Sequence, residues 1–129
     1  MLKKKYRLTT KKDFDYIFQN GKKFYTDNFL IIITFQKREN LPKYFKLPRF
    51  GFIASKKVGK ATDRNRAKRL LREAVRLNFS KFTKNFEAIL IAKDTTPTSN
   101  IAKIQKDLLE IAKKAQILKT TSQNEQMLD

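Results

Sequence analysis

The sequence predicts an α+β fold that forms one domain around a small mixed β-sheet carrying three helices. Three short runs rich in β-branched and aromatic residues, at 28–35, 49–55 and 86–93, have the length and composition of strands. The segments beside them repeat apolar residues every three to four positions, as helices do. A chain of 129 residues with 40% apolar residues is long enough for a single core.

The first helix is predicted shortly after the N-terminus. Thr9 or Thr10 can cap it, and Asp13 stands three residues after Thr10 as in a capping box. Gly21 is a plausible end of the helix. The apolar residues that share one face are Phe14, Ile17 and Phe18.

Two predicted strands follow this helix. Residues 28–35 form a nearly continuous apolar run typical of a buried strand. In residues 49–55, Phe50, Phe52 and Ala54 alternate with Arg49, Gly51, Ile53 and Ser55, which also indicates a strand. The segment between them, 36–48, contains Pro42 and Pro48 and mixed charge, which indicates a surface loop. We expect the two strands to pair as a hairpin.

The most informative segment, 56–76, carries nine Lys or Arg against two acids, Asp63 and Glu73. It predicts an amphipathic helix that is capped by Thr62 or Asp63 and runs to about Phe79. Its apolar stripe consists of Ala67, Leu70, Leu71, Ala74 and Val75. On the opposite side or its flanks lie Asn65, Arg66, Lys68, Arg69, Arg72 and Arg76.

This basic face has a bland interpretation, a solvated helix surface, and a functional one. Solvated faces usually mix charge signs, whereas Glu73 is nearly alone here. Like charges three or four residues apart cost a few tenths of a kcal/mol per pair. The row of guanidinium groups therefore favours a polyanionic partner, since their planar forks suit phosphate.

The third strand, 86–93, follows the basic helix and completes a βαβ unit, so the second and third strands are predicted to be parallel. A turn at 94–100 leads to a last helix that Ser99 or Asn100 opens. Its apolar stripe is Ile101, Ile104, Leu108, Ile111, Ala112 and Ala115. We expect the domain to span residues 1–118 and a polar tail, 119–129, to be disordered.

The composition favours a binding protein over a catalyst. The chain has no His and no Cys, which removes the commonest general base, metal ligand and thiol nucleophile. Its twelve acids are mostly isolated, and its three glycines cannot form a nucleotide-binding loop. The net charge of +18 points to nucleic acid first and an anionic membrane second.

The expected location is the cytoplasm, with no membrane partner. No apolar run approaches the twenty residues that a membrane span needs. The basic N-terminus also lacks the apolar stretch of a signal peptide.

Three blocks of sequence form a pattern that extends from Arg7 to about Lys114. The first is Arg7-Leu8 followed by Asp13-Phe14 through Phe18 to Gly21; the second is the strand and turn from Arg49 to Ala61; the third is Arg64-Asn65-Arg66, then Lys68-Arg69 and Arg72-Glu73-Ala74. In this order and at this spacing the blocks resemble the protein subunit of bacterial ribonuclease P. Two departures are Thr62-Asp63, where the family usually has apolar residues, and Ile32, where some members carry an aromatic residue.

The resemblance implies a ribonucleoprotein endonuclease that removes the 5′ leader of precursor tRNA. The RNA subunit is then the ribozyme and holds the catalytic Mg²⁺ ions, while water attacks the phosphodiester. The protein is expected to have no catalytic or metal site of its own, to pair 1:1 with the RNA and to assist substrate and metal binding. The resemblance also implies a left-handed βαβ crossover, although right-handed crossovers are the general rule.

The resemblance assigns two sets of site residues. Those expected to bind phosphates of the catalytic RNA are Lys60, Arg64, Asn65, Arg66, Lys68, Arg69, Arg72 and Arg76. Those expected to form a cleft for the single-stranded leader are Phe14, Phe18, Phe50, Phe52, Ser55, Lys56, Lys57 and Lys93. Stacking and charge suit a leader whose sequence varies.

Other functions remain open at this stage. A ribosomal or other structural RNA-binding protein with no role in cleavage would have the same size, charge and fold class. A DNA-binding protein is less favoured, because a face of Arg and Lys with one Asn suits phosphates better than base edges. A membrane-surface helix is least favoured, because the apolar stripe lacks aromatic anchors.

Because the basic face is expected to bind phosphates, RNA affinity should depend steeply on salt. With six to ten phosphate contacts, the affinity should fall by roughly 10³ to 10⁵ between about 50 and 200 mM salt. A filter-binding titration across that range measures the slope, and a flat response would contradict the phosphate interpretation.

Overall fold

The computed structural model describes residues 2–36 and 47–119. The helices and strands, in chain order, are α1 (Lys11–Asn20), β1 (Lys22–Tyr25), β2 (Phe29–Phe35), β3 (Arg49–Ile53), α2 (Ala61–Leu77), β4 (Phe86–Ala92) and α3 (Ile101–Lys114). Short 3-10 helices occur at Lys4–Tyr6, Lys56–Val58, Phe79–Lys81 and Thr96–Thr98. Most of the predicted loop and the predicted tail from residue 120 lie outside the described residues.

The four strands form one mixed sheet in the order β1-β2-β4-β3. β4 is parallel to β3, as predicted, and antiparallel to β2. The predicted hairpin between the second and third of these strands is wrong, because β4 lies between them. β4 can occupy this place because nearly all of its seven residues are buried, and such a strand pairs best on both edges.

β2 instead forms a hairpin with β1, a strand that the sequence did not predict. β1 has four residues, of which Lys22 and Lys23 are exposed, so its strand propensity is low. The turn is closed by Thr26, whose hydroxyl oxygen accepts the amide of Phe29 at 3.0 Å. Pairing with the strongly apolar β2 therefore supplies the stability that the local sequence of β1 lacks.

The larger core lies between one face of the sheet and helices α2 and α3. Ala67, Leu71, Ala74 and Val75 of α2 are buried there, which confirms the predicted stripe except for the half-buried Leu70. The sheet residues that face this core include Phe29, Ile31, Ile33, Phe50, Phe86, Ala88 and Leu90. On α3 the predicted stripe is buried apart from the half-buried Ile101.

Among the described residues, the opposite face of the sheet is covered by α1 and by the segment before it that contains Leu8. Ile17 is buried in a smaller cluster with Leu8, Ile32 and Ile89. Helix α1 approaches β3 so closely that a Cβ placed on Gly51 would lie 2.5 Å from Cε1 of Phe14. Only glycine fits this contact without a shift of the ring.

A charged network holds the N-terminal part of α1 against the sheet. Nε of Arg49 donates to Oε2 of Glu87 at 2.8 Å, and the Glu87 side chain is nearly buried. The guanidinium of Arg49 also lies 3.4 Å from Oδ2 of Asp13. Gln36 donates to the other Glu87 oxygen at 2.7 Å. Buried charges need such partners, so this network fixes how β3, β4 and α1 meet.

The helix starts follow capping chemistry. Thr10 accepts the amide of Asp13 at 3.2 Å, and Asn100 accepts that of Lys103 at 2.9 Å, as predicted. Helix α2 begins at Ala61, before either predicted cap residue, and it ends at Leu77 rather than Phe79. Its start is set by Oδ2 of Asp63, which accepts the amide of Lys60 at 3.1 Å.

The burial of α2 leads to a stability prediction. Leu71→Ala should lower the free energy of unfolding by about 2–5 kcal/mol, because the Leu71 side chain is fully buried. Leu77→Ala on the same helix is the control, with an expected change within about 0.5 kcal/mol, because Leu77 is 46% exposed. Urea denaturation followed by circular dichroism compares the two, and equal losses would contradict this orientation of α2.

Candidate nucleic-acid interface

The basic face of α2 points away from the core. Asn65, Arg66 and Arg69 are exposed, and with Thr62 and Leu70 they line a shallow open depression of about 430 Å³. Arg64, Lys68 and Arg72 are half-buried along its flanks, while Lys60 is exposed just before the helix. The predicted phosphate-binding residues are therefore brought together on one helix.

Arg76 differs from the other cations of α2. Its guanidinium donates to both carboxylate oxygens of Glu73, with Nε 3.0 Å from Oε2. This hydrogen bond from Arg76 lowers the pKa of Glu73 below its usual value, and the same contact raises the pKa of Arg76. Glu73 is thus ionised at neutral pH and offsets the charge of Arg76, which leaves most of the uncompensated positive charge of the helix on its first three turns.

A second group of cations lies at one edge of the sheet. Ser55, Lys56 and Lys57 are exposed immediately after β3, and Lys93 follows β4. Because β3 and β4 are parallel, their carboxyl ends meet at the same edge. Nζ of Lys93 donates to the carbonyl oxygen of Thr26 at 2.6 Å, so the β1-β2 turn fixes this ammonium group there.

The four predicted cleft aromatics do not share one surface. Phe14 is half-buried on α1 and Phe18, 42% exposed, lies one turn further along the same side. Phe50 is fully buried on the other face of the sheet, with ring centroids of Phe82 and Phe86 each 5.6 Å away. Phe52 stacks on Phe50 and packs against the larger core. The prediction of Phe50 as a leader-contacting residue is therefore wrong, and Phe52 does not face α1.

An apolar floor on the α1 side of the sheet was not predicted from the sequence. Leu30, Ile53 and Ile91 are only partly buried there, and each packs against the smaller cluster. They form one row, since Leu30 pairs with Ile91 and Ile91 with Ile53. Tyr25, opposite Leu30 and 66% exposed, extends the row to the sheet edge. The alternating pattern of each strand indicates which of its residues share a face. Only the strand pairing shows that Leu30, Ile91 and Ile53 lie side by side.

The described residues form neither a cluster of metal ligands nor a membrane-spanning helix. Within residues 2–36 and 47–119, no group of three or more acidic side chains is placed to hold a metal ion. Among the helices of the same ranges, none is long and apolar enough to cross a membrane.

The fold, with the exposed cations of α2, defines an α+β protein of an RNA-binding class. The family model "Ribonuclease P" matches residues 2–116. A ribonuclease P protein component of Finegoldia magna is 35% identical and covers 87% of this chain and 92% of the relative. One from Fusobacterium nucleatum is 40% identical and covers 82% and 93%.

Solved structures agree with these sequence matches. The ribonuclease P protein of Staphylococcus aureus has a TM-score of 0.71 at 25% identity and covers 88% of this chain and 98% of that chain. That of Thermotoga maritima has a TM-score of 0.69 at 27% identity, with 84% and 96% covered. The chain belongs to the ribonuclease P protein family. Its role is that of the protein subunit of a tRNA-processing endoribonuclease with an RNA subunit as partner.

The position of each cation predicts unequal effects on RNA binding. Arg66→Ala should reduce the salt slope of catalytic-RNA binding by about one and the affinity by about tenfold, because one exposed phosphate contact is lost. Arg76→Ala should reduce both less, since the Arg76 guanidinium is held by both carboxylate oxygens of Glu73 and is less free to contact a phosphate. Both variants should keep the wild-type circular dichroism spectrum. Filter binding compares them, and unfolding of Arg66→Ala would contradict the observed rotation of α2.

Proposed function

We propose that this chain binds the catalytic RNA of ribonuclease P through α2 and the 5′ leader of precursor tRNA across the α1 side of the sheet. It thereby assists removal of the leader to give mature tRNA 5′ ends. The observation that carries the proposal is the separation of two surfaces. The cations of α2 lie on the layer that covers one sheet face, whereas the half-exposed apolar row lies on the other face.

The leader groove that we propose differs from the one predicted by sequence. Its wall is α1, with Phe14 and the exposed ring of Phe18, and its floor is the row Leu30, Ile91 and Ile53. Its end is lined by Ser55, Lys56, Lys57 and Lys93. Aromatic and apolar groups can stack on any base, while the lysines neutralise phosphates, so the groove accepts leaders of different sequence.

The protein's part in the reaction is binding and positioning. Mg²⁺ held by the RNA subunit would supply the Lewis acid and the activated water. Cations of α2 neutralise phosphates of the catalytic RNA, and the groove holds the leader so that the scissile phosphate reaches the RNA active site. This division of labour fits a chain without His or Cys. We further propose a 1:1 complex with the RNA in the cytoplasm.

The deciding experiment measures cleavage of a 5′-extended precursor tRNA at low Mg²⁺ by a bacterial ribonuclease P RNA, with and without the protein. We expect the protein to stimulate cleavage with the RNA and to cleave nothing alone. Cleavage by the protein alone would overturn the proposal. Tight RNA binding without stimulation by any matched RNA would instead favour a structural RNA-binding protein.

The groove gives a prediction with a matched control. Phe18→Ala should weaken holoenzyme affinity for precursor tRNA by roughly five- to 150-fold, the range of one lost base stack. Its affinity for mature tRNA should stay unchanged. Tyr16→Ala is the control, because Tyr16 is also exposed on α1 but lines a different depression with Lys11, Lys12 and Gln19. Equal losses for both variants, or equal losses for both RNAs, would contradict the groove.

A further inference from the structure

A second basic surface lies at the C-terminal end of α2, where three separate segments of the chain meet. The N-terminal turn carries Lys3, Lys4 and Lys5, all exposed. The region after α2 adds the exposed Lys81 and Lys84, and Lys119 lies beside them because its amide donates to the carbonyl oxygen of Lys81 at 2.9 Å. Across the described parts of the chain, none of these six lysines forms an ion pair with a carboxylate.

The N-terminal lysines are held in place rather than carried on a free end. Leu2, on one side of them, is buried in the larger core. On the other side, the ring centroid of Tyr6 lies 4.4 Å from that of Phe79, and the amide of Leu8 donates to the carbonyl oxygen of Phe50 at 2.8 Å. The fold therefore holds three like charges beside the 3-10 helix that contains Lys81, despite their repulsion.

The helix dipole does not account for this arrangement. The negative end of the α2 dipole attracts cations within its last turn, where Arg76 already lies. Lys3–Lys5 are brought from a distant part of the sequence, and the dipole effect is screened in exposed positions. A surface that brings together six ammonium groups without carboxylate partners, from three segments, is instead suited to the closely spaced phosphates of a nucleic acid.

The position of this surface favours the catalytic RNA over the precursor tRNA as its partner. Phe79 and Lys81 precede β4, so they lie at the sheet edge where β3 and β4 begin. The proposed leader groove ends at the opposite edge, with Ser55 and Lys93. Along α2 the end of the helix at Leu77, next to the new surface, lies about 12 Å beyond Arg69 and about 18 Å beyond Asn65.

We propose that Lys3, Lys4, Lys5, Lys81, Lys84 and Lys119 form a second contact surface for the catalytic RNA. This surface binds a segment of the RNA apart from the one that meets Asn65, Arg66 and Arg69. The inference rests on the proposed function for the identity of the RNA. Two contacts on one partner let the second form at high effective concentration, so weak lysine contacts add to the affinity of the whole.

The absence of cysteine in the sequence allows a direct test. Single variants Lys4→Cys, Lys81→Cys, Asn65→Cys and Glu110→Cys, each carrying an iron chelate, are assembled with the catalytic RNA, and hydroxyl radicals are generated. Positions 4 and 81 should cleave the same RNA segment, different from the segment that position 65 cleaves. Position 110, exposed on α3, is the control and should cleave weakly.

The outcomes separate this inference from the proposed function. Cleavage from position 65 but only background from positions 4 and 81 overturns the second surface alone. Background cleavage from all four positions overturns RNA-subunit binding as a whole. Cleavage from positions 4 and 81 confined to added precursor tRNA assigns the surface to the substrate and overturns the inference.

Charge reversal gives an independent measurement. Lys81→Glu with Lys84→Glu should reduce the salt slope of catalytic-RNA binding by about two, because two phosphate contacts are lost. Lys106→Glu with Lys113→Glu is the matched control, since both lysines are exposed on α3 and the net charge changes equally. Equal reductions in the two double variants would attribute the effect to net charge and overturn the inference.

Discussion

The parallel pairing of β3 with β4 is the constraint on which the rest of the structure depends. Parallel neighbours cannot be joined by a tight turn, so the chain must cross over, and α2 is that crossover. The crossover and α3 cover one face of the sheet, and α1 is the described helix that covers the other. The same pairing brings the ends of β3 and β4 to one edge, which places Lys56 and Lys93 together.

The distribution of charge follows from this layering. The core and the Arg49–Glu87 network place several of the described acids in structural contacts, so few of them offset the cations on the surface. Self-repulsion among the remaining cations lowers stability. A partner rich in phosphate removes that repulsion on binding, so the electrostatic strain of the free protein becomes part of the affinity for RNA. Arg76 is largely withdrawn from this role by its contact with Glu73.

Predictions that depend on neighbours in sequence mostly agreed with the structure, whereas those that depend on distant pairing agreed for β3 with β4 but not for β2 with β3. Thr10 and Asn100 cap their helices because a cap needs only the next three residues. The stripe of α2 is buried because helix geometry fixes which residues share a face. The hairpin between β2 and β3 was wrong, since nothing local in either strand reveals that β4 separates them. β1 was missed because its stability comes from β2.

Sequence alone is enough to predict the α+β class, the amphipathic character of α2 and a surface suited to a polyanion. Periodicity and charge can be read from residues that are close together in the chain. Which aromatic side chains are exposed enough to contact a base depends on the tertiary structure. Phe18 and Phe50 are chemically equivalent in the sequence, yet one is 42% exposed and the other is fully buried. Phe50 is buried because the register of the sheet turns its side chain into the larger core, whereas Phe18 lies on α1, where only Ile17 is fully buried. Tertiary structure alone also joined Lys3–Lys5 to Lys81, since the contact of Tyr6 with Phe79 spans most of the chain.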